Sequence, residues 1–390
     1  MGDNTVFSIS WILLHLLAVV MLATARRRDS LLLLVAAGIG LYIVLSAAWS
    51  VAVTESLVHG AMAAGNIAVA YLLAMEKTPG QIVRLFLRVL LVLTIAGLAA
   101  AAVGYGQVLD YDPHARENFL GGERLRGFFP HNIMAGFYGA IGLALALTLL
   151  RGLRRASAAA LFALWVLLTG SATGLALKLL AAAAVPAARL LVPRVSGTAL
   201  LVVAGPAGLA LGLLTWHVWE PMVQLLGRDP TMTGRTVLWE WGMDAIAERP
   251  VGGWGFNAYF HSGYGAEPSL YVPEFNNYEI AHFHNSFIQT AVDLGIVGLL
   301  ILLAVLSCAT CWAYLYVRGA DRRTGMALLM VMVIFAVASP TEFLFFNYNQ
   351  FAMFALFTIF FALARARRGP HRDSDNALGS PRRRRHRSLR

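Results

Sequence analysis

Residues 281–323, AHFHNSFIQTAVDLGIVGLLILLAVLSCATCWAYLYVRGADRR, fall into three parts that decide the fold. A polar and aromatic head carries His282, His284 and Asn285. An apolar body over 285–316 follows, with Asp293 as its single charged residue, and Arg318, Arg322 and Arg323 close the stretch. About 20 apolar residues suffice to cross a bilayer, so the body is a membrane span. Arginines gathered beyond one end mark that end as cytoplasmic. The imidazoles then stand at the opposite mouth of the helix.

The same pattern repeats along the chain. Of 390 residues, 58% are hydrophobic and 13% are charged, with a mean hydropathy of +0.65. Ordinary soluble domains carry about 25% charged residues, so the chain reads as an all-α polytopic membrane protein. Candidate spans fall at 7–25, 31–53, 57–75, 85–106, 132–150, 156–170, 172–190, 197–217, 285–316, 325–341 and 345–364, which gives about 11 (10–12) transmembrane helices. Basic clusters at Arg26–Arg28, Lys77 with Arg84 and Arg88, Arg151–Arg155, Arg189 with Arg194, Arg318–Arg323 and the tail from Arg365 alternate with them in one register. That register puts the N-terminus outside and the C-terminus in the cytoplasm. The first apolar run has no basic n-region or clear cleavage site, so it reads as a span rather than a cleavable leader.

The net charge of +10 is therefore topological and does not indicate nucleic acid. The tail over 365–390 is low-complexity, basic and disordered by composition, and suits anionic lipid on the cytoplasmic side. Cys308 and Cys311 lie inside an apolar run and read as packing residues rather than a redox or metal pair. There is no internal repeat and no nucleotide-binding glycine motif. The organisation is thus helices 1–8 over 1–217, with a first outer loop at 107–131, then a large partly helical outer loop at 218–284, then helices 9–11 over 285–364.

Chemistry concentrates on the outer segments. In DPTMTGRTVLWEWGMDAIAERPVGGWGF (229–256), Val237, Leu238, Trp241 and Ala245 form one apolar stripe of a short helix. Thr231 or Thr233 is its candidate cap, and Arg249–Pro250 with Gly252–Gly253 ends it. Arg235 sits in the first turn, where a cation opposes the helix dipole. Either it joins the free backbone N–H groups to bind an anion such as phosphate, or it pairs with Asp229 or Glu240. In GGERLRGFFPHNIMAG (121–136), Arg124 and Arg126 run against the positive-inside bias, and His131–Asn132 stand at the start of the next span. These arginines bind an anion or pair with Glu117, Glu123 or Asp112.

Three readings of His282 and His284 stay open. An extended segment would put both on one side and a metal could be held, with His261, Glu274 or Glu279 recruited, since zinc sites take three or four protein ligands. One of them could be a general base, the imidazole pKa lying near 6.5. Or they are interfacial groups, with Asn285 or Ser286 capping the span. Lys178 is an intramembrane charge, Asp293 a candidate for orienting a neighbour, and Glu342 a boundary residue at an outer turn.

Taken together, TGRTxLW (Thr233–Trp239), RPxGGWGFNAYF (Arg249–Phe260), HNSFIQTAVDLGIVG (His284–Gly298) and RLRGFFPHNIMAG (Arg124–Gly136) resemble the O-antigen ligase and polymerase superfamily. The resemblance runs from about residue 120 to 300. It implies a bacterial inner-membrane glycosyltransferase acting at the periplasmic face. The implied donor is a glycan on undecaprenyl diphosphate, and the acceptor is lipid A–core or another lipid-linked glycan, with no nucleotide sugar, cofactor or metal. By motif, His284 matches the proposed base, and Arg126 and Arg235, with Arg124 beside them, match the diphosphate-binding arginines. Asn285, Asn132, His131 and His282 take supporting positions. Ligases of this kind usually have twelve spans with the N-terminus inside, and an arginine often follows the serine of the turn read here as GSATG; this chain departs in both.

Those roles imply single displacement with inversion, arginines stabilising the departing diphosphate and a base activating the acceptor hydroxyl. The rival class is a transporter of a small anion such as bicarbonate. Transport favours paired charges or broken helices near mid-membrane and an inverted repeat. Polar motifs gathered at one face favour surface chemistry instead.

Overall fold

The computed structural model describes residue 20 and residues 29–110, 117–192, 235–264, 280–319, 321–348 and 350–368. Within them lie α1 (Ser30–Leu45, extended by a 3₁₀ turn Ser46–Trp49), α2 (Val53–Glu76), α3 (Pro79–Ala102), α4 (Asn132–Leu149), α5 (Gly152–Thr169), α6 (Ala172–Leu191), α7 (Arg235–Glu248), α8 (Ser286–Val317), α9 (Arg322–Ala338) and α10 (Phe351–Arg368). No β-strand occurs among the described residues; a lone bridge joins Leu109 and Leu125. Seven helices, α1 with its 3₁₀ turn through α6 and then α8, are long and apolar enough to cross a membrane. α9 has 17 residues, and α10 carries Arg365, Arg367 and Arg368 in its last turn. The chain is an all-helical, multi-pass membrane protein.

The expected spans 7–25 (residue 20 apart) and 197–217, and residues 218–234 and 265–279 of the expected loop 218–284, lie outside the described residues. Two boundaries differ from expectation for physical reasons. The third described helix begins at Pro79 rather than 85, because Thr78 and Gln81 form a reciprocal capping box and Pro79 sits where no N–H is needed. Arg84 and Arg88 therefore belong to the helix. The last helix begins at Phe351 rather than 345. Phe343–Phe346 is as apolar as a span but is a buried loop, with Phe346 held at φ 49.

α4 is the centre of the bundle, and all but a few of its residues are buried. Its small residues let α5 and α6 approach closely: a Cβ on Gly136, Gly139 or Gly142 would fall 2.8 Å or less from Ser171, Trp165 or Phe162. Trp165 donates its indole N–H to the Ala135 carbonyl at 2.9 Å, which satisfies a polar group inside that seam. α3 and α9 pack on other faces of α4, while α10 joins α2 to α8.

The two ends of the bundle differ chemically. One end gathers Arg189, Arg318, Arg322, Arg365 and Arg368. There Arg368 pairs with Asp29 at 3.0 Å, and Arg365 donates to the Ala74 and Met75 carbonyls. The other end carries the loops 105–110, 117–131, 170–172, 249–264, 280–285 and 339–348, and with them His131, Arg124, Arg126, His282 and His284.

α8 is broken where its sequence reads DLG. Gly295 has φ 65 and ψ −167, inside what is otherwise a helix of 32 residues. The loop 249–255 fills the break: Trp254 N–H donates to Val292 O at 2.8 Å, Gly255 N–H to Asp293 O at 3.0 Å, and Ile296 N–H to Pro250 O at 2.8 Å. The Tyr42 hydroxyl donates to Leu294 O at 2.6 Å. Backbone groups freed at membrane depth are thus re-satisfied by protein. The motif RPVGGWGF is the segment that closes a broken span.

Candidate active site

The head of α8 is built first by its caps. The Asn285 side chain accepts from Phe287 and Ile288 N–H, so it is the N-cap. Ser286 does a different job. Its N–H donates to Ser339 O at 2.8 Å, its hydroxyl donates to Glu342 O at 2.6 Å, and Leu344 N–H donates back to that hydroxyl at 2.9 Å. One serine therefore clamps the loop 339–350 to the start of α8.

That clamp brings Glu342 to Arg235 at the N-terminus of α7. The guanidinium donates to Thr341 O at 2.8 Å and pairs with the Glu342 carboxylate at 3.4 Å. The partner of Arg235 is thus Glu342, distant in sequence, and not Glu240; Asp229 lies outside the described residues, as do the candidate caps Thr231 and Thr233. Thr173, just past the GSATG turn, donates to the same carboxylate at 3.5 Å. Burial pushes Glu342 up to about 7, against the opposing pull of Arg235. Five N–H groups on a guanidinium, two of them so engaged, leave Arg235 with donors for a further anion.

His282 and His284 face each other, with ring centroids 4.2 Å apart and the rings edge to face. His284 holds φ 50, an uncommon conformation for a residue with a side chain. Its backbone N–H donates to His282 Nδ1 at 3.2 Å, which orients the His282 ring. The next layer holds the intervening residue: Gln289 accepts from Phe283 N–H at 3.0 Å and donates to the Asp293 carboxylate, while Trp239 donates to Phe283 O at 3.0 Å. Asp293 therefore acts through Gln289.

His284 Nδ1 is buried and has no hydrogen-bond partner among the described residues. Such atoms are rare in folded proteins. Burial holds His284 well below the usual imidazole range, and the neighbouring His282, Arg235 and His131 charges push the same way. His282 and His131 are each lowered to about 4, chiefly by burial, with Arg235 adding to both and His131 adding to His282. The structure thus assembles His131, His282, His284, Arg235 and Glu342 from four separate segments.

Arg126 and Arg124 are placed differently. Arg126 donates to the carbonyls of Leu109, Pro130 and Gln107 at 3.1, 3.2 and 2.9 Å, and so holds its own loop in shape. Its partners are backbone oxygens rather than the acidic residues considered from sequence. Arg124 is buried against the GSATG turn and donates to Glu117 O at 3.4 Å; a Cβ on Gly170 would lie 2.9 Å from its Nε. Asn132 donates to Thr169 O at 2.9 Å, which locks the start of α4 to the same turn and presents His131 to the cluster. Glu342 was legible only as a boundary residue; the signal that could have exposed it was a carboxylate in an apolar loop beside Pro340.

Residues 157–303 match the family model described as O-antigen ligase. The chain is also 38% identical over 81 residues to the exopolysaccharide production protein ExoQ of Rhizobium meliloti, a stretch covering 20% of this chain and 19% of that protein. The match therefore spans about a fifth of the relative's length. The family match takes in α5, α6, α7 and the head of α8, and so holds Arg235, His282 and His284, while His131 and Glu342 lie outside it. Over residues 157–303, well under half of its length, this chain is thus similar to the O-antigen ligase family.

Proposed function

We propose that the chain moves a glycan from undecaprenyl diphosphate to an acceptor hydroxyl at the histidine-bearing end of the bundle, which faces the periplasm of a bacterial inner membrane. One observation carries the reading: a buried imidazole nitrogen, His284 Nδ1, has no partner among the described residues and stands near Arg235, which has donors to spare beyond Thr341 and Glu342. In the tautomer protonated on Nε2, that nitrogen is a lone pair kept from water and waiting for a hydroxyl. The acceptor hydroxyl fills the vacancy. As its oxygen bonds to the anomeric carbon, its proton passes to His284, and the bond from carbon to the diphosphate oxygen breaks. The electron pair leaves with undecaprenyl diphosphate, whose charge Arg235 stabilises. Direct attack gives inversion.

The low proton affinity of His284 fits this order. Burial chiefly, with the Arg235 charge adding to it, keeps the imidazole a weak base. A diphosphate on Arg235 cancels the positive charge that suppresses it, so donor binding raises the base toward the working pH. Arg126 and Arg124 support the site by shaping the loop that carries His131, and Arg126 keeps N–H groups for the diphosphate. Asn285 and Asn132 set the two helix starts. The reaction takes no metal, and treatment with EDTA is expected to leave it intact.

The test is glycan transfer in membranes expressing the variants at wild-type levels. His284→Ala and Arg235→Ala should each abolish transfer; retention of wild-type transfer by either would sink the assignment. The product separates the two family activities. A ladder of lengthening lipid-linked chains identifies a polymerase, and single-step capping of lipid A–core a ligase. The similarity to an exopolysaccharide production protein favours the first. The broken α8 could suit a transporter, but loop 249–255 and Tyr42 occupy the carbonyls of Val292, Asp293 and Leu294, which an ion would otherwise use.

A further inference from the structure

A second polar cluster lies at the same end of the bundle, apart from the residues used above. In α2, Glu55 and His59 are one turn apart, with the carboxylate 3.2 Å from His59 Nδ1. Asn257 brings its side-chain amide to within 2.9 Å of the same nitrogen. Tyr348 stacks on the His59 ring at 4.2 Å, with planes 22° apart, and the exposed His261 ring stands 5.9 Å from it. His261 is itself oriented through Nδ1 on the Asn257 carbonyl at 2.8 Å. Three segments remote in sequence thus converge on one imidazole.

Two features go beyond packing. Asn257 is held at φ 55, one of three side-chain-bearing residues in the left-handed region among the described residues, the others being His284 and Phe346. Strain of this kind collects at functional sites. The cluster is also open: Glu55 is 39% and His59 16% exposed at the side chain, and His59 Nδ1 serves one partner at a time, the Asn257 amide as acceptor or the Glu55 carboxylate as donor. Its Nε2, the Glu55 carboxylate, the Tyr348 hydroxyl and His261 then offer polar groups around a flat aromatic surface. A ring bearing several hydroxyls matches that surface, by stacking on apolar C–H groups and by hydrogen bonds at its rim. Through Asp293, hydrogen-bonded to Gln289 and reached by the Asn257 backbone, the cluster connects to the segment that carries His284.

We propose that Glu55, His59, Asn257, His261 and Tyr348 form a glycan subsite that holds the sugar chain of a lipid-linked acceptor, the polymerase case favoured above. This rests on the glycosyl-transfer reading, and the test separates the two. Glycan released by mild acid from the lipid-linked pool of the expressing strain serves as the probe. Full-length protein in nanodiscs is labelled with diethyl pyrocarbonate, with and without the probe, and modification of His59 and His261 is read by mass spectrometry. The probe should slow labelling of both by several-fold in the wild type and in His284→Ala, where transfer is lost. Asn257→Ala and Tyr348→Ala should lose the protection and raise the acceptor KM at least about 10-fold, with kcat within about two-fold. A purely structural cluster would lower thermal stability in these variants, yet the probe would change labelling in none of them. Equal labelling with and without probe in the wild type overturns the subsite even if His284→Ala is inactive. Protection with transfer intact in His284→Ala would keep the subsite and overturn the assigned base.

Discussion

At the scale of single residues, the site depends on two histidines doing unlike work. His284 offers an unpartnered nitrogen, and His282 accepts the N–H that holds His284 at φ 50. Replacing His284 by Ala should lower kcat by about 10²–10⁴-fold, the usual contribution of a placed base, and membrane transfer assays measure it directly. His282 acts through its neighbour, so its loss should show a different signature. Burial depresses His284 most, and the charge that His282 gains at acid pH adds to it. In His282→Ala, the acid limb of the rate profile should therefore move to higher pH, toward the free imidazole value near 6.5, while kcat falls. An unshifted limb with normal kcat would show that His282 does not position the base. Sequence spacing placed the two rings on one side of an extended strand, and they do meet. It could not reveal which nitrogen lacks a partner, because that depends on everything packed around the rings.

At the scale of elements, the break in α8 and the loop that fills it form one unit. Gly295 has no room for a side chain: a Cβ there would fall 2.0 Å from the Val251 carbonyl oxygen, on a backbone at φ 65. Gly295→Ala should cost about 1–2 kcal/mol for the left-handed backbone and roughly 1–3 kcal/mol more for overpacking. Thermal unfolding of the purified protein in detergent reads this loss, and an unchanged midpoint would mean that the loop does not hold the break. The effect should reach activity as well, since Gln289 and Asp293 lie between the break and His284. The apolar run over 285–316 was legible as a span from composition alone. Its break was not, because hydropathy averages over glycine and the phrase RPVGGWGF carries no periodic signal. The loop Phe343–Phe346 misled for the complementary reason: four apolar residues look like the start of a helix, whereas Ser286 and the packing of buried rings hold them as a loop.

At the scale of the whole molecule, helix order and the crowding of polar motifs at one end could be read from the alternation of apolar runs and arginines. The pairing of Arg235 with Glu342 could not, since only the packed bundle brings α7 to the loop after α9. That packing also gives the protein a pH response with a definable sign. His131 and His282, lowered to about 4, stay neutral in the fold but take up protons when unfolded below about 6.5. Their contribution is complete above the unfolded value and is lost as pH falls toward 4. Glu342, raised to about 7, works the other way: its contribution is complete below about 4.5 and fades as pH rises through 7. Two histidines outweigh one carboxylate on the acid side, and His284 adds to them. The unfolding midpoint should therefore drop as pH is lowered from 6.5 to 4.5, more steeply than in a His131→Asn/His282→Asn variant. Glu342→Gln removes the opposing fall between about pH 4.5 and 7 and should therefore steepen the rise of the midpoint with pH in that range. These slopes are measurable by intrinsic tryptophan fluorescence in detergent. A wild-type midpoint that stays level across the acid range, or a double variant with the same slope, would show that the three imidazoles are not buried together at the mouth of the bundle.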